Sequence, residues 1–237
     1  MALGTWDDIV AVRQVYGDDA LRALLVDPPP GVFDPRSWHY WHAVFGIDPV
    51  PSLPRRFEGQ RPDDDDRTPT PGRRPSTPLI RGGTPLRSSP DTLAVEIDGV
   101  VLSFFGALNL GSVGVPEVAV ENDVPVASLL DLAATKVKAV VDRAEAKDYL
   151  DIAALLAAGI SLADALGAAK AVFGPRFNEA LALKALTFFE EGDLPSLPKS
   201  VQRRLIEAVT GVRQVPHFER RSNGLFPDEI ERRLAMV

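Results

Sequence analysis

The chain contains no cysteine, which excludes a disulfide framework and thiolate chemistry. It has three histidines, His39, His42 and His217, which leave little room for a histidine-based metal site. His39 and His42 stand three apart but have no third ligand in view, and they are read as surface histidines. No apolar run approaches the roughly 18 residues that a membrane-crossing helix needs. The opening decapeptide MALGTWDDIV lacks a basic stretch followed by an apolar core, so no secretory signal is expected there. An excess of positive charge is also missing. The formal net charge of −7 argues against a surface that tracks nucleic acid as a whole and leaves room only for a local basic patch. These absences point to a cytoplasmic protein without a membrane partner, whose 237 residues suffice for one large domain or two small ones.

What is present falls into three parts. Residues 1–50 carry the pattern of a compact helical module. Trp6, Ile9, Val10 and Val15 mark a first helix ending near Gly17. Asp18 or Asp19 caps a second with Leu21, Leu24 and Leu25 on its inner face, and the run Pro28-Pro29-Pro30 ends it. Asp34-Pro35 opens a third helix, with Asp as the cap and Pro at the first helical position. Its Trp38, Tyr40, Trp41 and Phe45 supply the large side chains a small core requires, and Gly46 closes it. Residues 51–90 are rich in Pro, Arg, Thr, Ser and Gly, include the acidic run Asp63–Asp66, and show no apolar periodicity. Such a segment buries too little to offset its ordering entropy, so a disordered linker is expected.

Pattern resumes in residues 91–237. Asp98-Gly99 between two alternating apolar runs signals a two-residue hairpin pairing 93–97 with 100–105, and a further short strand is expected over 115–120. Ser128 and Asp131 form a capping box ahead of a helix with Leu130, Ala134, Val137 and Val141 on one stripe. Lys136 and Arg143, seven apart, are placed on one face beside that stripe. The next helix carries Lys147, Asp148 and Asp151, and Gly159 stops it. Ser161-x-x-Asp164 leads a helix to Phe173, followed by helices over 177–189, 201–209 and 227–236. The expected class is α+β, mainly helical: a small helical module, a linker, then a β-hairpin with a multi-helix bundle. The four charged residues Lys136, Arg143, Asp148 and Asp151 admit two readings. One is a structural ion-pair network at a helix junction; the other is a phosphate- and base-handling corner of a nucleotide enzyme.

Three blocks bear on that choice. DTLAVEIDGVVLSFFG, VASLLDLAATKVKAVVDRAEAKDYLDIAALLAAG and ALTFFEEGDLP occur in the order found in the C-terminal part of AbiEii/AbiGii-type nucleotidyltransferase toxins, and residues 91–212 resemble that family. The middle block is the most recognisable: a Lys, an Arg seven later, then Lys-Asp-x-x-Asp. The resemblance implies that Lys136 and Asp148 belong to the catalytic nucleotide site, that Arg143 and Asp151 support them in binding nucleotide, and that Mg²⁺ and a nucleoside triphosphate are the cofactors of an active member. Gly82-Gly83-Thr84 resembles the family's Gly-Gly-Thr turn, which makes Gly82 and Gly83 further nucleotide-binding candidates. The sequences GTWDDIVAVRQVYGDDALRALL and FDPRSWHYWHAVFGI resemble the small helical, antitoxin-like proteins encoded upstream of such toxins.

The chain departs from the pattern at one point. The superfamily's chemistry takes a strand, a Gly-Gly or Gly-Ser turn and a helix, then an Asp-x-Asp on the next strand, whose carboxylates hold divalent ions. No Asp-x-Asp follows Gly82-Gly83 here. Asp91 comes too soon, Asp63–Asp66 lies before the glycines, and Glu96 or Asp98 could supply one carboxylate, not a metal pair; no metal ligand is assigned. The chain therefore reads as a transferase-like protein of a toxin–antitoxin or abortive-infection system without its metal-binding half. Two alternatives stay open. One is an active transferase that moves a nucleotide to RNA or protein. The other is an antitoxin-like interaction module with a cognate toxin or antitoxin as partner.

Overall fold

The computed structural model describes residues 5–26, 28, 33–53, 84–89, 92–105, 111–119 and 125–223. They divide into a helical unit from residues 1–58 and 110–237 and a small β unit from residues 59–109. The acidic run at residues 63–66, both Gly82 and Gly83, and the expected helix over 227–236 lie outside the described residues.

In the helical unit, α1 (Trp6–Val26) starts on a reciprocal cap. Thr5 Oγ1 accepts from the Asp8 amide at 3.3 Å, and Asp8 Oδ2 accepts from the Thr5 amide at 2.8 Å. Gly17, expected to separate two helices, has φ 73° and ψ 162°, so the helical geometry does break there. Asp18 bridges the break by accepting two bonds from Arg13, at 2.8 and 2.7 Å. α2 (Pro35–Val44) has the expected cap: Asp34 accepts from the Ser37 amide at 2.9 Å. Trp38, Tyr40 and Trp41 are buried, and the Trp38 indole donates to the Pro51 carbonyl at 2.7 Å. His42 corrects the sequence reading. It is 1 % exposed, with its ring against Trp38 and Nδ1 2.8 Å from the Trp38 carbonyl, because it lies one turn from Trp38 on the buried face.

After an isolated bridge at Ser112, β4 (Glu117–Val118) pairs with β5 (Pro125–Val126), a shorter strand than the one expected over 115–120. Five helices follow: α3 (Leu129–Asp142), α4 (Ala146–Ala157), α5 (Leu162–Phe173), α6 (Glu179–Ala185) and α7 (Lys199–Gly211). Ser128 and Ser161 cap α3 and α5 as their boxes predict, accepting from the Asp131 and Asp164 amides at 3.1 and 3.0 Å. The helix expected over 177–189 is confined to α6, which Asn178 caps and which ends at Leu186. Ala134, Val137 and Val140 of α3, Leu166 of α5, Leu183 of α6 and Leu205 of α7 are members of one buried cluster. Leu21, Trp38 and Trp41 belong to the same buried cluster, so the N-terminal helices share one core with the rest.

In the β unit, Asp98 and Gly99 adopt φ 51° and 77°, the left-handed pair of a type I′ turn. β2 (Thr92–Ile97) pairs in register with β3 (Val100–Phe105), as the sequence predicts. Residues 84–89 of the expected linker form a third strand. β1 (Thr84–Ser89) pairs antiparallel with β2, with a register shift between Pro85 and Arg87. A proline without an amide hydrogen belongs on such an edge strand at a bulge, and apolar periodicity gives no sign of a strand that reads TPLRSS. Among the described residues, no single helix is long and apolar enough to cross a membrane.

Candidate functional site

Asp131 fixes the start of α3. Its carboxylate accepts from the amides of Val113 (2.7 Å) and Gly114 (3.1 Å) and from the Ser128 hydroxyl (2.7 Å), tying the preceding loop to the helix N-terminus. One and a half turns on, Lys136 leaves α3 toward α4. There Asp148, on the first turn, is fully buried with 0 % of its side chain exposed. Lys136 Nζ lies 3.1 Å from Asp148 Oδ1 and 2.6 Å from Asp151 Oδ2, so the two aspartates three apart do share a side of α4 and one cation.

Arg143 reaches the same carboxylate by another route. α3 ends at Asp142, and Arg143 is extended at φ −153°, ψ 150°, so it does not stand on the helical face that its spacing from Lys136 suggests. From the connection between the helices its Nε donates to Asp148 Oδ2 at 2.7 Å and its Nη2 to Oδ1 at 3.2 Å. Lys147 is not part of this corner; it is 66 % exposed and pairs with Glu145 at 2.6 Å. Sequence reasoning missed Asp193, whose Oδ1 accepts from the Ala146 amide at 2.7 Å, at the first residue of α4. Nothing local in Gly192-Asp193-Leu194-Pro195 tells that this aspartate lands 47 residues back along the chain.

Burial pushes the Asp148 carboxyl up, and the hydrogen bonds from Arg143 and Lys136 outweigh it, so the group lies below its ordinary value. Burial likewise lowers Lys136, and its bonds to Asp151 and Asp148 reverse the sign and raise it. The bond to Asp148 raises Arg143. These shifts hold Lys136, Arg143 and Asp148 in their charged forms. Beside it, burial pushes the Tyr149 phenol up to about 12, and its hydroxyl donates to the Ala185 carbonyl at 3.2 Å.

These carboxylates do not fit a divalent ion. Both Asp148 and Asp151 are engaged by Lys136, and among the described residues no three metal-ligating groups gather at binding distance. The other acidic candidates, Glu96 and Asp98, stand in the β unit. Glu96 is exposed on β2 opposite Thr84, and Asp98 sits in the hairpin turn. A cleft of about 920 Å³ between the end of α2 and α7, lined by Ile47, Val50, Phe189, Lys199 and Arg203 among others, includes none of the four corner residues.

The family model described as "Nucleotidyl transferase AbiEii toxin, Type IV TA system" matches residues 58–221. The match holds all four corner residues and both Gly82 and Gly83, and it starts inside the segment whose composition reads as linker. No curated protein and no solved structure matches the chain.

Proposed function

The chain belongs to the nucleotidyl transferase AbiEii toxin family of type IV toxin–antitoxin systems, and on that premise we propose that it keeps the family's lysine–aspartate corner but lacks the metal-holding part of the transfer site. The observation that carries this reading is the course of the chain after Gly82-Gly83. It enters an antiparallel strand, Thr84–Ser89, that folds back on β2, where transfer chemistry takes a helix and then a strand with paired carboxylates. The state of the corner agrees. Lys136 and Arg143 both face Asp148, so neither offers an uncompensated charge to a triphosphate. Calorimetry with a nucleoside triphosphate and Mg²⁺ tests the proposal; no heat beyond dilution is expected. Saturable binding that is lost in Lys136→Met would overturn it and restore an active transferase, with RNA or protein as acceptor.

A second reading, an interaction protein of such a system, is favoured by how the N-terminal helices engage the remainder. Arg36 of α2 pairs with Glu191 at 2.7 Å, and the His39 ring stands edge-on to Phe188 with centroids 5.1 Å apart. Helices resembling an antitoxin-like partner would then act in cis. If the helices act in cis, Arg36→Glu opens the face they cover, and the full chain carrying it should recover a second protein from its own cell extract that the wild-type chain does not; equal recovery by both counts against this reading.

A further inference from the structure

The turn Glu191–Leu194 reaches the corner at the first amide of α4. Glu145 is the cap residue of that helix but makes no side-chain cap bond. Asp193, far along the chain, accepts from the Ala146 amide in its place, at 2.7 Å. Three features hold Asp193 where it can do so. Gly192 has φ +58°, and a Cβ there would lie 2.5 Å from the Ala144 carbonyl, so the turn passes against the α3–α4 connection at a distance that only glycine allows. Leu194 is 1 % exposed and anchors the turn in the core. Ser196 closes it, its hydroxyl donating to the Asp193 carbonyl at 2.6 Å.

We infer that Asp193, set by Gly192, is a positioning residue that holds the first turn of α4 so that Asp148 stays between Lys136 and Arg143. Asp148 lies two residues beyond the capped amide, and Arg143 lies three before it on the connection that Gly192 packs against. A shift of this turn would move the carboxylate and one of its cations relative to each other. The inference takes from the proposed function only the importance of the corner, and its test requires no nucleotide.

The test is the titration of Asp148 in the full chain labelled with ¹³C at the aspartate carboxyl, with Asp148→Asn assigning the resonance. The groups around that carboxyl are Lys136 and Arg143 directly, Asp151 through Lys136, Glu145 and Asp142 near Arg143, and the Tyr149 phenol. Two effects of removing Asp193 have opposite signs. Loss of a nearby negative charge lowers the Asp148 midpoint, whereas loss of position weakens its cation contacts and raises it. Asp193→Ala and Gly192→Ala are each expected to shift the midpoint upward. Asp193→Asn, which keeps the acceptor oxygen, should leave it in place or lower it. Ser161→Ala, which removes the cap of α5, should not move it. An unchanged or lowered midpoint in Asp193→Ala, an Asn variant that rises with Ala, or an equal rise in Ser161→Ala overturns the inference. If Asp193→Ala does not fold, Gly192→Ala decides alone on the same criterion.

Discussion

At the scale of single residues, the most consequential one is Asp148. Its side chain is fully buried, but its partners are not: Lys136 is 25 % and Arg143 46 % exposed. Truncating one member of a fully buried pair costs about 3–5 kcal/mol, and an exposed pair contributes roughly 0–1 kcal/mol. Here the cations left behind can take up water, so Asp148→Ala should destabilise by about 2–3 kcal/mol in urea unfolding. Lys136→Met with Asp148→Leu should recover part of that, and an Asp148→Ala midpoint equal to wild type would show the pair to be solvated. The pH dependence follows from the sign of the shift. Asp148 lies below its ordinary 3.8 when folded, so its stabilisation is present above that value and is lost as pH falls through the lower folded one. Wild type should therefore lose stability more steeply than Asp148→Asn as pH falls from about 5 to 2. Lys136 works in the opposite direction: its contribution stands below 10.5 and goes as pH rises through the higher folded value. The corner was legible because Asp148 and Asp151 repeat at helical spacing and because cations precede them. The part played by Arg143 was misjudged because a spacing of seven carries meaning only inside a helix, and α3 stops one residue short of it.

At the scale of elements, caps and turns transferred from sequence to structure most faithfully. Asp34-Pro35, Ser128-x-x-Asp131, Ser161-x-x-Asp164 and Asp98-Gly99 each satisfy a local requirement of the backbone, and a local requirement can be read locally. β1 could not be read that way. Its pairing with β2 is what makes it a strand, and Pro85 and Arg87 hide the alternation. His42 fails for the same reason, since its burial depends on what covers α2. The Ser128 cap allows a sharp test, because its hydroxyl serves both the α3 amide and Asp131. Ser128→Ala should cost about 1–2 kcal/mol. A Cβ on Gly114 would lie 2.0 Å from Ser128 Oγ and 2.6 Å from its Cβ, so Gly114→Ala should destabilise in the wild-type chain and much less alongside Ser128→Gly. Equal costs in both backgrounds, measured as a urea double-mutant cycle, would mean that the loop does not pack against the cap.

At the scale of the whole molecule, sequence composition divides the chain at residue 50, whereas the buried cluster runs through Leu21, Trp38 and Trp41 to Leu166, Leu183 and Leu205. Every tryptophan of the chain, Trp6, Trp38 and Trp41, stands in α1 or α2. Indole fluorescence therefore reports the N-terminal helices, and far-ultraviolet circular dichroism is dominated by the others. One shared core predicts coincident urea midpoints from the two probes; an earlier fluorescence transition would mean that the first helices unfold by themselves. Function at this scale depends on whether a family member with this corner, but with no Asp-x-Asp after Gly82-Gly83, transfers nucleotides. The direct measurement is incubation of the purified chain with labelled nucleoside triphosphates, Mg²⁺ and total RNA, with the Asp148→Ala, Glu96→Gln and Asp98→Asn variants in parallel. The account predicts no label on RNA or on protein from any of them; label transferred by the wild-type chain and lost in Asp148→Ala or in the Glu96 and Asp98 variants would contradict it.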